Sequence, residues 1–289
     1  MSSGYSHTFS SEEQARLVAQ AAFLEPYIFP TIDFTGCERV LEVGCGVGAE
    51  LQILHRRFPH LKLAGLDFSP AQLARARELL HAELAAGAVG LHEGSAYELL
   101  FANGSFDGVC LIWVLEHLSD PVLALREARR VLRPGGLLSV TEVHNAGLLI
   151  SPPCPALAEY WAAFNTLQRQ LGGAPDVGAE LAGLAAQAGF TEIQTRRLPV
   201  RMDAGLNEPA RRHVFVDYWR TLWLSAAAQL LERRMVSPAL VDAMQAEFNA
   251  LAEDPAAVYD YSARQLQARN FSPAPEFVNI APDARSCRS

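Results

Sequence analysis

The chain has 289 residues, of which 50% are hydrophobic and 19% are charged, a composition typical of folded globular proteins and unlike that of disordered chains. Its formal net charge is −8 at pH 7, which argues against nucleic acid as a partner, because proteins that bind phosphate backbones normally present a basic face. The apolar runs are far shorter than the roughly 18 to 20 residues that span a bilayer, and residues 1–10 are polar, so we predict a cytoplasmic protein without a membrane span.

The predicted secondary structure begins with a helix outside the core. Ser10 or Ser11 can cap this helix, and its apolar positions recur at near-helical spacing up to Pro26. From residue 38 onward, apolar strand-like runs alternate with helical segments, which predicts a parallel sheet. The predicted strands are 39–43, 61–67, 89–92, 108–113, 137–143 and 191–200, and the predicted helices between them are 49–57, 70–84, 121–132 and 177–188.

Two segments interrupt this alternation and are predicted to be insertions. Residues 144–176 combine a stretch rich in proline and alanine with a helix, and residues 201–255 are helical in character. We therefore predict five parts of the chain. They are an N-terminal helical segment 1–35, a core 36–200 that contains the insertion 144–176, a helical insertion 201–255, a last core strand 256–270 and a loosely held tail 271–289.

The strongest local motif joins the first predicted strand to the helix after it. Residues 40–48 read Val-Leu-Glu-Val-Gly-Cys-Gly-Val-Gly, an apolar strand followed by a loop with glycine at every second position. Glycine lets the backbone pass close to a ligand where a Cβ would collide. The G-x-G-x-G spacing differs from the G-x-G-x-x-G pattern that binds a pyrophosphate, so it favours a ligand without a diphosphate.

An acidic residue follows this loop at a distance typical of nucleoside-binding folds. Asp67 ends the second predicted strand, 21 residues after Gly46. Rossmann-like folds place an acid at about this spacing, where it hydrogen-bonds the ribose hydroxyls. The loop and the acid, each at the carboxyl end of its strand, together predict a nucleoside site.

Five short motifs in a fixed order carry a resemblance to a known family. They are Leu-Glu-Val-Gly-Cys-Gly-Val-Gly at 41–48, Gly-Leu-Asp-Phe-Ser at 65–69, Ser-Phe-Asp at 105–107, Leu-Glu-His-Leu at 115–118 and Leu-Arg-Pro-Gly-Gly at 132–136. Between residues 37 and 143 the chain resembles a class I S-adenosylmethionine (SAM) dependent methyltransferase of the ubiquinone/menaquinone-biosynthesis-like, small-molecule group. This resemblance implies an α/β, Rossmann-like, doubly wound fold. Its sheet would be mostly parallel and seven-stranded with an antiparallel last strand, accompanied by an N-terminal helix and helical lid insertions.

The resemblance also implies which residues hold SAM. Glu42, together with the backbone of Gly44, Cys45 and Gly46, would bind the methionine end of SAM, whose ammonium group needs acceptors. Asp67 would accept hydrogen bonds from both ribose hydroxyls. These five residues form the predicted core of the cofactor site.

The remaining predicted cofactor residues follow later strands. Phe68 would lie beside the adenine, and Ser95 and Ala96 stand where the family commonly has Asp-Ala. The missing acid puts the strength of adenine binding in doubt, since a serine hydroxyl accepts a weaker hydrogen bond than a carboxylate. Trp113 and His117 would approach the methionine part and the acceptor, although either could instead have a purely structural role.

A catalytic base is predicted only for some acceptors. A phenol, an amine or an activated carbon must lose a proton, and histidine suits that task near neutral pH. His144, just after the fifth strand, and His213, in the second insertion, are the candidates, with Tyr160 and Tyr218 as partners. A carboxylate acceptor would need no base, and a structural or exposed role for each histidine stays open.

Several alternatives stay open at this stage. Arg196, Arg197, Arg201, Arg211 and Arg212 could bind an anionic acceptor, although such residues are more often solvated surface. A NAD-dependent oxidoreductase would share the fold, a non-methylating relative could use SAM as a scaffold for a cyclisation, and a macromolecular methyltransferase is disfavoured by the acidic charge. We predict no metal site, a small-molecule acceptor as the partner, and an oligomeric state that is open, a homodimer included.

Overall fold

The computed structural model of the chain describes residues 10–271, which form eight strands and ten α-helices. The strands are β1 Arg39–Val43, β2 Lys62–Asp67, β3 Val89–Glu93, β4 Phe106–Ile112, β5 Leu132–Glu142, β6 Leu149–Ser151, β7 Thr191–Met202 and β8 Val258–Arg269. The helices are α1 Ser11–Ile28, α2 Ala49–Arg57, α3 Pro70–Leu79, α4 His81–Ala85, α5 Pro121–Val131, α6 Pro155–Gln170, α7 Leu181–Gln187, α8 Pro209–Leu224, α9 Ala227–Glu232 and α10 Pro238–Glu253. The predicted tail lies outside the described residues from 272 onward.

All eight strands belong to one sheet. Strands β1 to β5 pair in parallel in the order β3-β2-β1-β4-β5. Strand β8 follows, antiparallel to β5 on one side and to β7 on the other. The predicted Rossmann-like, mostly parallel sheet with an antiparallel last strand is therefore confirmed.

The predicted count of seven strands is wrong by one, because the insertion 144–176 contributes the short strand β6. Strand β8 has 12 residues, but β5 pairs only with positions 264–269 of it. Beyond that point, β6 pairs with positions 258–260 and so covers an edge that β5 leaves open. A strand of 3 residues is too short to show a recognisable hydrophobic period in the sequence.

Helices pack on both faces of the sheet, as a doubly wound fold requires. Helix α1, predicted as a segment that precedes the core, packs against one of these faces, since Ala21, Leu24 and Ile28 are each at most 4% exposed and join the apolar cluster that also contains residues of α2, α8 and β8. The opposite face is covered by α5 and α7, with Leu125 and Leu184 buried against the strands. Among residues 10–271, no helix combines the length and hydropathy needed to cross a bilayer.

A long-range contact defines the end of α5. The sequence predicts a helix over 121–132, and in the structure the helix ends at Val131, with β5 beginning directly at Leu132. The amide of Asn270 donates to the carbonyl oxygens of Arg129 (3.1 Å) and Leu132 (2.7 Å). Carbonyl groups at the end of a helix have no partner within the helix, and here the side chain of Asn270, just after β8, caps them.

One buried arginine ties the helical insertion together. Arg212 of α8 is 2% exposed, and its guanidinium donates to the carbonyl oxygens of Asp203 (3.0 Å), Leu251 (3.2 Å) and Asp254. The first of these carbonyls precedes α8 and the others lie at the end of α10. The donors of Arg212 are therefore occupied by the protein itself.

We expect Arg212→Met to destabilise the protein by about 2–4 kcal/mol, because it leaves several buried carbonyl oxygens without donors while keeping most of the side-chain volume. Thermal or chemical denaturation measures this loss. The neighbouring exposed Arg211 provides the matched control, and Arg211→Met should change stability by less than about 0.5 kcal/mol. Equal effects of the two substitutions would contradict a tying role for Arg212.

Candidate functional site

A cavity of about 590 Å³ opens at the carboxyl ends of the parallel strands, where open α/β sheets bind their ligands. The loops after β1 to β5 line it together with side chains from α1, α6, α8 and β8. All predicted cofactor-binding residues except Glu42 contribute to this lining. Glu42 is the next-to-last residue of β1, and its side chain is buried.

The glycine loop holds its backbone open toward the cavity. Gly44 and Cys45 donate their N–H groups to the carbonyl oxygen of Leu66 (2.7 and 3.0 Å), which fastens the loop to β2. Gly44 has φ +75°, and a Cβ there would lie 2.6 Å from Val114 Cγ2. Gly46 has φ +50°, and nothing lies within 4 Å of the position a Cβ would take. A ligand can therefore approach this backbone closely.

Asp67 is fixed by backbone donors on two sides. Its carboxylate is 6% exposed and accepts hydrogen bonds from the N–H groups of Gly46 (2.8 Å) and Ser69 (2.8 Å). Burial raises the pKa of Asp67, and these N–H donors offset part of that rise. The adjoining Phe68 also lines the cavity and is 55% exposed, so its ring is accessible to a ligand.

Three carboxyl groups gather at this end of the cavity. Burial, followed by the nearby charges of Glu50 and Asp67, raises the pKa of Glu42 well above its usual range, and Glu42 Oε2 is buried without a hydrogen-bond partner. Burial also raises the pKa of Glu50, which lines the cavity, to about 7. Such a group of acids favours a positively charged ligand.

A single cationic side chain completes the charge pattern. Among the described residues, Arg16 of α1 is the one lysine or arginine that lines the cavity. Glu13 holds its guanidinium through two contacts of 2.8 and 2.6 Å, and Gln20 accepts a further hydrogen bond of 2.6 Å. SAM carries a sulfonium, an ammonium and a carboxylate, so the three acids and Arg16 offer partners of the opposite sign for its charges.

The position where the family commonly has an acid is polar but uncharged. Ser95 and Ala96 both line the cavity, and the Ser95 hydroxyl accepts a hydrogen bond from the N–H of Tyr97 (3.1 Å). The Tyr97 hydroxyl in turn accepts a hydrogen bond from the N–H of Ser119 (2.9 Å). The predicted role of Ser95 toward the adenine stays a prediction.

The other half of the cavity is aromatic. The rings that line it are those of Trp113, Trp161, Phe164, Tyr218, Trp219 and Tyr261. Asn145 connects several of these elements, since its side-chain oxygen accepts from the Tyr261 hydroxyl (3.1 Å) and its carbonyl accepts from the Trp161 indole (3.1 Å). Apolar walls with a few placed polar groups are typical of sites for small organic ligands.

The histidines take very different positions. His117 lines the cavity, and its Nε2 lies 3.8 Å from Glu116 Oε1. Neither His144 nor His213 lines it: His144 Nδ1 lies 3.8 Å from Asp176, and the exposed His213 pairs with Glu253 at 3.2 Å. The sequence predicted that all three histidines lie at the ligand site, and in the structure only His117 lines the cavity.

The two tyrosines predicted as partners of the histidines, Tyr160 and Tyr218, occupy different places in the structure. Tyr160 is fully buried, donates its hydroxyl to the Trp223 carbonyl (2.8 Å) and stays outside the cavity wall. Tyr218 does line the cavity, where its ring stacks on Phe23 with centroids 3.9 Å apart.

The arginine pairs proposed for an anionic acceptor lie elsewhere. None of the five lines the cavity. Arg196 contacts Gln267, Arg197 contacts Ser262, Arg201 contacts Asp203 and Asp260, Arg212 lies in the helical insertion, and Arg211 is exposed. An anion bound by these residues would not reach the cavity.

Sequence reasoning missed the residues that reach the cavity from distant elements. They are Arg16 and Gln20 of α1, Glu50 of α2, Asn145 after β5, Trp161 of α6 and Tyr261 of β8. Glu50 alone had a usable signal, because it follows the glycine loop by 2 residues in the first turn of α2. The others are brought together only by the fold.

Comparisons with known proteins agree with this geometry. A family model described as a methyltransferase domain matches residues 41–140. The O-methyltransferase resE of Aspergillus sclerotiorum is 30% identical over 195 residues, which cover 66% of this chain and 68% of that protein. The 27-O-demethylrifamycin SV methyltransferase of Amycolatopsis mediterranei is 27% identical over 258 residues, 88% of this chain and 86% of that protein.

A solved structure shares the fold and holds a cofactor product. It is a Haemonchus contortus phosphoethanolamine N-methyltransferase 2 in complex with S-adenosylhomocysteine, with a TM-score of 0.54 at 20% identity over 88% of this chain. The match covers 53% of that enzyme, so the chain spans about half its length. These three proteins are named as methyltransferases and not as oxidoreductases, and they do not single out the ubiquinone/menaquinone group. The fold is shared as well with the [4+2]-cyclase SpnF, with a TM-score of 0.53 at 22% identity over 88% of this chain and 81% of that one.

We expect Asp67→Ala to weaken SAM binding about 100-fold, because a charged acceptor for two ribose hydroxyls is lost. Calorimetry with SAM and with S-adenosylhomocysteine measures the effect, which should be similar for both. Glu93→Ala is the matched control, since Glu93 pairs with Asp67 in register on β3 but lies outside the cavity. An unchanged affinity in Asp67→Ala would remove this residue from the site.

We expect SAM affinity to rise between pH 5.5 and about 7.5, because Glu50 ionises near pH 7 and a carboxylate attracts a cation where the neutral acid does not. Above that window the ammonium of SAM itself begins to lose its proton. Glu50→Gln should flatten the pH dependence. A dependence that is equally steep in this variant would assign the effect to another group.

The order of five sequence motifs, a cavity whose charges match those of SAM, and a relative of 30% identity matched over 68% of its length point to one family. The chain belongs to the class I SAM-dependent methyltransferases, and S-adenosylmethionine is its cofactor.

Proposed function

We propose that the protein transfers the methyl group of SAM to a hydroxyl oxygen of an apolar small molecule. The observation that carries this proposal is the cavity, which joins an acidic, glycine-lined half to an aromatic half. Two relatives support oxygen as the acceptor atom, since both are named for O-methylation or a 27-O-demethyl substrate. The scarcity of cationic side chains in the cavity favours an uncharged acceptor over an anionic one.

The strand order supports this division of the cavity. The cofactor residues follow β1, β2 and β3, which form one half of the sheet. The residues Val143, Asn145, Tyr261 and Ala263 of the aromatic half follow β5 or belong to β8, on the other side. Strand β4 lies between the two halves, so residues just after β4 are favoured as those nearest to both ligands.

His117 is our choice for the base that takes the hydroxyl proton. It is the one histidine among residues 10–271 that lines the cavity, and it follows β4 by five positions. Glu116 beside it accepts a hydrogen bond of 2.5 Å from Gln168 Nε2, which fixes the carboxyl group. Burial raises the pKa of Glu116, whereas His117, Gln168 and Arg16 lower it. A carboxylate next to the ring would stabilise the imidazolium that forms.

The remaining tasks of the chain are positioning and the exclusion of water. SAM supplies a methyl group that its sulfonium makes electrophilic. Helix α1 covers the cavity with Leu17, Gln20 and Leu24, and the aromatic side chains of α6 and α8 close the opposite side. Water that stayed in the cavity would compete with the acceptor hydroxyl, so an apolar enclosure favours the transfer.

Other properties stay predictions of the sequence. We propose that nucleic acid is not a substrate, because the net charge is −8 and the cavity suits a small molecule. A cytoplasmic location and the choice between a monomer and a homodimer rest on the sequence alone.

Incubating the protein with methyl-labelled SAM and a metabolite extract should yield a small labelled product that carries a new methoxy group. Mass spectrometry and NMR of the product identify the acceptor and the methylated atom. Label on nitrogen or carbon would overturn O-methylation. SAM binding without any labelled product, whatever the acceptor, would favour the cyclisation alternative.

With the acceptor known, His117→Gln should lower kcat by about 10²- to 10⁴-fold, because proton removal from the hydroxyl loses its base. The affinity for S-adenosylhomocysteine should stay within about threefold. The matched comparison is His144→Gln and His213→Gln, which should retain most activity. A larger loss in either of these variants would return the base role to that residue.

A further inference from the structure

We propose that Trp113 is the platform on which a flat, conjugated ring of the acceptor stacks, and that Glu142 is the positioning residue that holds the Trp113 backbone in place. This inference deepens the proposed function and rests on it. It names the acceptor class as an aromatic or conjugated ring system that carries a hydroxyl group.

Trp113 has a backbone conformation that bulky residues rarely adopt. Its φ is +58°, in the left-handed region, where the Cβ of an L-amino acid collides with the backbone. Two other non-glycine residues among those described have positive φ, Glu192 and Arg234, and both are exposed. Trp113 is the one that lines the cavity, and strain of this kind persists where a site requires it.

The end of β5 enforces this conformation. The N–H of Trp113 donates to the carbonyl oxygen of Thr141 at 3.0 Å. The next two N–H groups, of Val114 and Leu115, both donate to Glu142 Oε1, at 2.9 and 2.5 Å. Glu142 is fully buried, so three consecutive donors are held by groups that cannot move into solvent.

Packing on the far side of this turn leaves little freedom. The side chain of Val114 occupies the space that a Cβ on Gly44 would need. The turn after β4 and the glycine loop after β1 therefore fit against each other. Any relaxation of the Trp113 backbone would disturb this fit or break the bonds to Glu142.

The other large rings in the cavity already pack against aromatic neighbours. Trp161 lies between Phe164 (5.2 Å between centroids) and Trp223 (4.5 Å), and Trp219 contacts Tyr261 (4.8 Å). None of the ring pairs found among the described residues includes Trp113, although its indole is only partly buried. Its indole is thus the tryptophan surface in the cavity that is available to stack on a ligand.

The position of Trp113 favours the acceptor over the adenine as that ligand. The adenine is expected beside Phe68, at the end of β2, which is separated from β4 by β1. Trp113 instead directly follows β4, which pairs with β5, and the residues after β5 belong to the aromatic half of the cavity. Stacking aromatic rings contribute more than their buried area alone, which makes an indole an effective platform for a flat ring.

The chemistry of the base points to the same acceptor class. A phenolic hydroxyl such as that of tyrosine has a pKa of about 10, far below the pKa of water, which is a model for a saturated alcohol. Proton transfer to an imidazole is therefore much less unfavourable from a phenol than from a saturated alcohol. A conjugated ring therefore suits both Trp113 and the proposed base.

The test compares 2-naphthol with decahydro-2-naphthol, which share carbon skeleton and hydroxyl but differ in flatness and conjugation. Binding of each to the full chain saturated with S-adenosylhomocysteine is measured by NMR titration. We expect the wild type to prefer 2-naphthol by roughly three- to tenfold. Trp113→Phe should keep this preference, and Trp113→Leu, which retains an apolar side chain and the same backbone strain, should abolish it.

The role of Glu142 is tested with the same two probes. Glu142→Gln keeps an oxygen acceptor for the two N–H groups and should retain the preference, whereas Glu142→Leu should lose it. In both variants the affinity for S-adenosylhomocysteine should stay within about threefold, a result that general unfolding would not give. If Glu142→Leu fails to fold, the Trp113 pair still decides the platform, and Glu142→Ala, which also offers no acceptor to the two N–H groups, replaces it in the test of positioning.

Three results would overturn the proposal. They are the absence of 2-naphthol binding to the wild type, equal binding of the two probes, and a preference that survives in Trp113→Leu. Retention of the preference in Glu142→Leu would overturn the positioning role alone. Because the measurement needs no methyl transfer, it can fail while labelled methyl still reaches an aliphatic hydroxyl, so its failure is distinct from that of O-methylation.

Discussion

Two buried carboxylates shape the ligand-binding edge of this sheet. Asp67 accepts hydrogen bonds from the N–H groups of Gly46, in the glycine loop after β1, and of Ser69, just after β2. Glu142 accepts hydrogen bonds from the turn that follows β4. Backbone N–H groups at the ends of strands have no partner within the sheet, and leaving them buried and unpaired costs about 1–3 kcal/mol each. The carboxylates remove that cost without filling the space above the strands. Side chains thus satisfy four of the N–H donors that border the cavity, those of Gly46, Ser69, Val114 and Leu115.

This solution concentrates negative charge and thereby prepares the site for a cation. The ordinary pKa of a glutamate is 4.5, and that of Glu50 is about 7, so the folded chain binds this proton more tightly than the unfolded chain does. The cofactor-free fold therefore loses stability as pH rises from about 4.5 to about 7. A positively charged ligand counteracts the repulsion among Glu42, Glu50 and Asp67. Affinity for SAM and the instability of the empty site thus have a common electrostatic origin.

The part of the site that the sequence predicts is the part built from consecutive residues. The glycine loop and Asp67 each lie at the end of a strand that its own hydrophobic run reveals, so their position follows from local pattern. Asn145, Tyr261 and Arg16 reach the cavity only through packing of elements far apart in the chain. A buried polar residue such as Glu142 also gives no signal, because a glutamate at the end of a strand is more often solvated.

The histidines show why position along the chain is not enough. His144 follows β5 directly, but it begins a 3-10 turn and its ring packs against Gly147, so it stays outside the cavity. His213 is on an insertion that does reach the cavity, yet it belongs to the exposed face of α8. In both cases the sequence predicted correctly that the segment lies at the ligand-binding edge of the sheet. The direction of the histidine side chain depends on packing with distant residues, which no local pattern encodes.

The two halves of the cavity differ in how freely their residues can change, and this difference affects how acceptor specificity can vary between methyltransferases. The cofactor half of the cavity uses loops that also hold the sheet edge together, so substitutions there affect stability as well as binding. The aromatic half draws mainly on α6 and α8, which lie outside the sheet, so that their side chains can change without altering the strands. Trp113 stands between these halves, since it directly follows β4, which lies between β1 and β5. A change of acceptor class is therefore expected to require a change at Trp113, and the strained turn that carries it limits which residues can replace it.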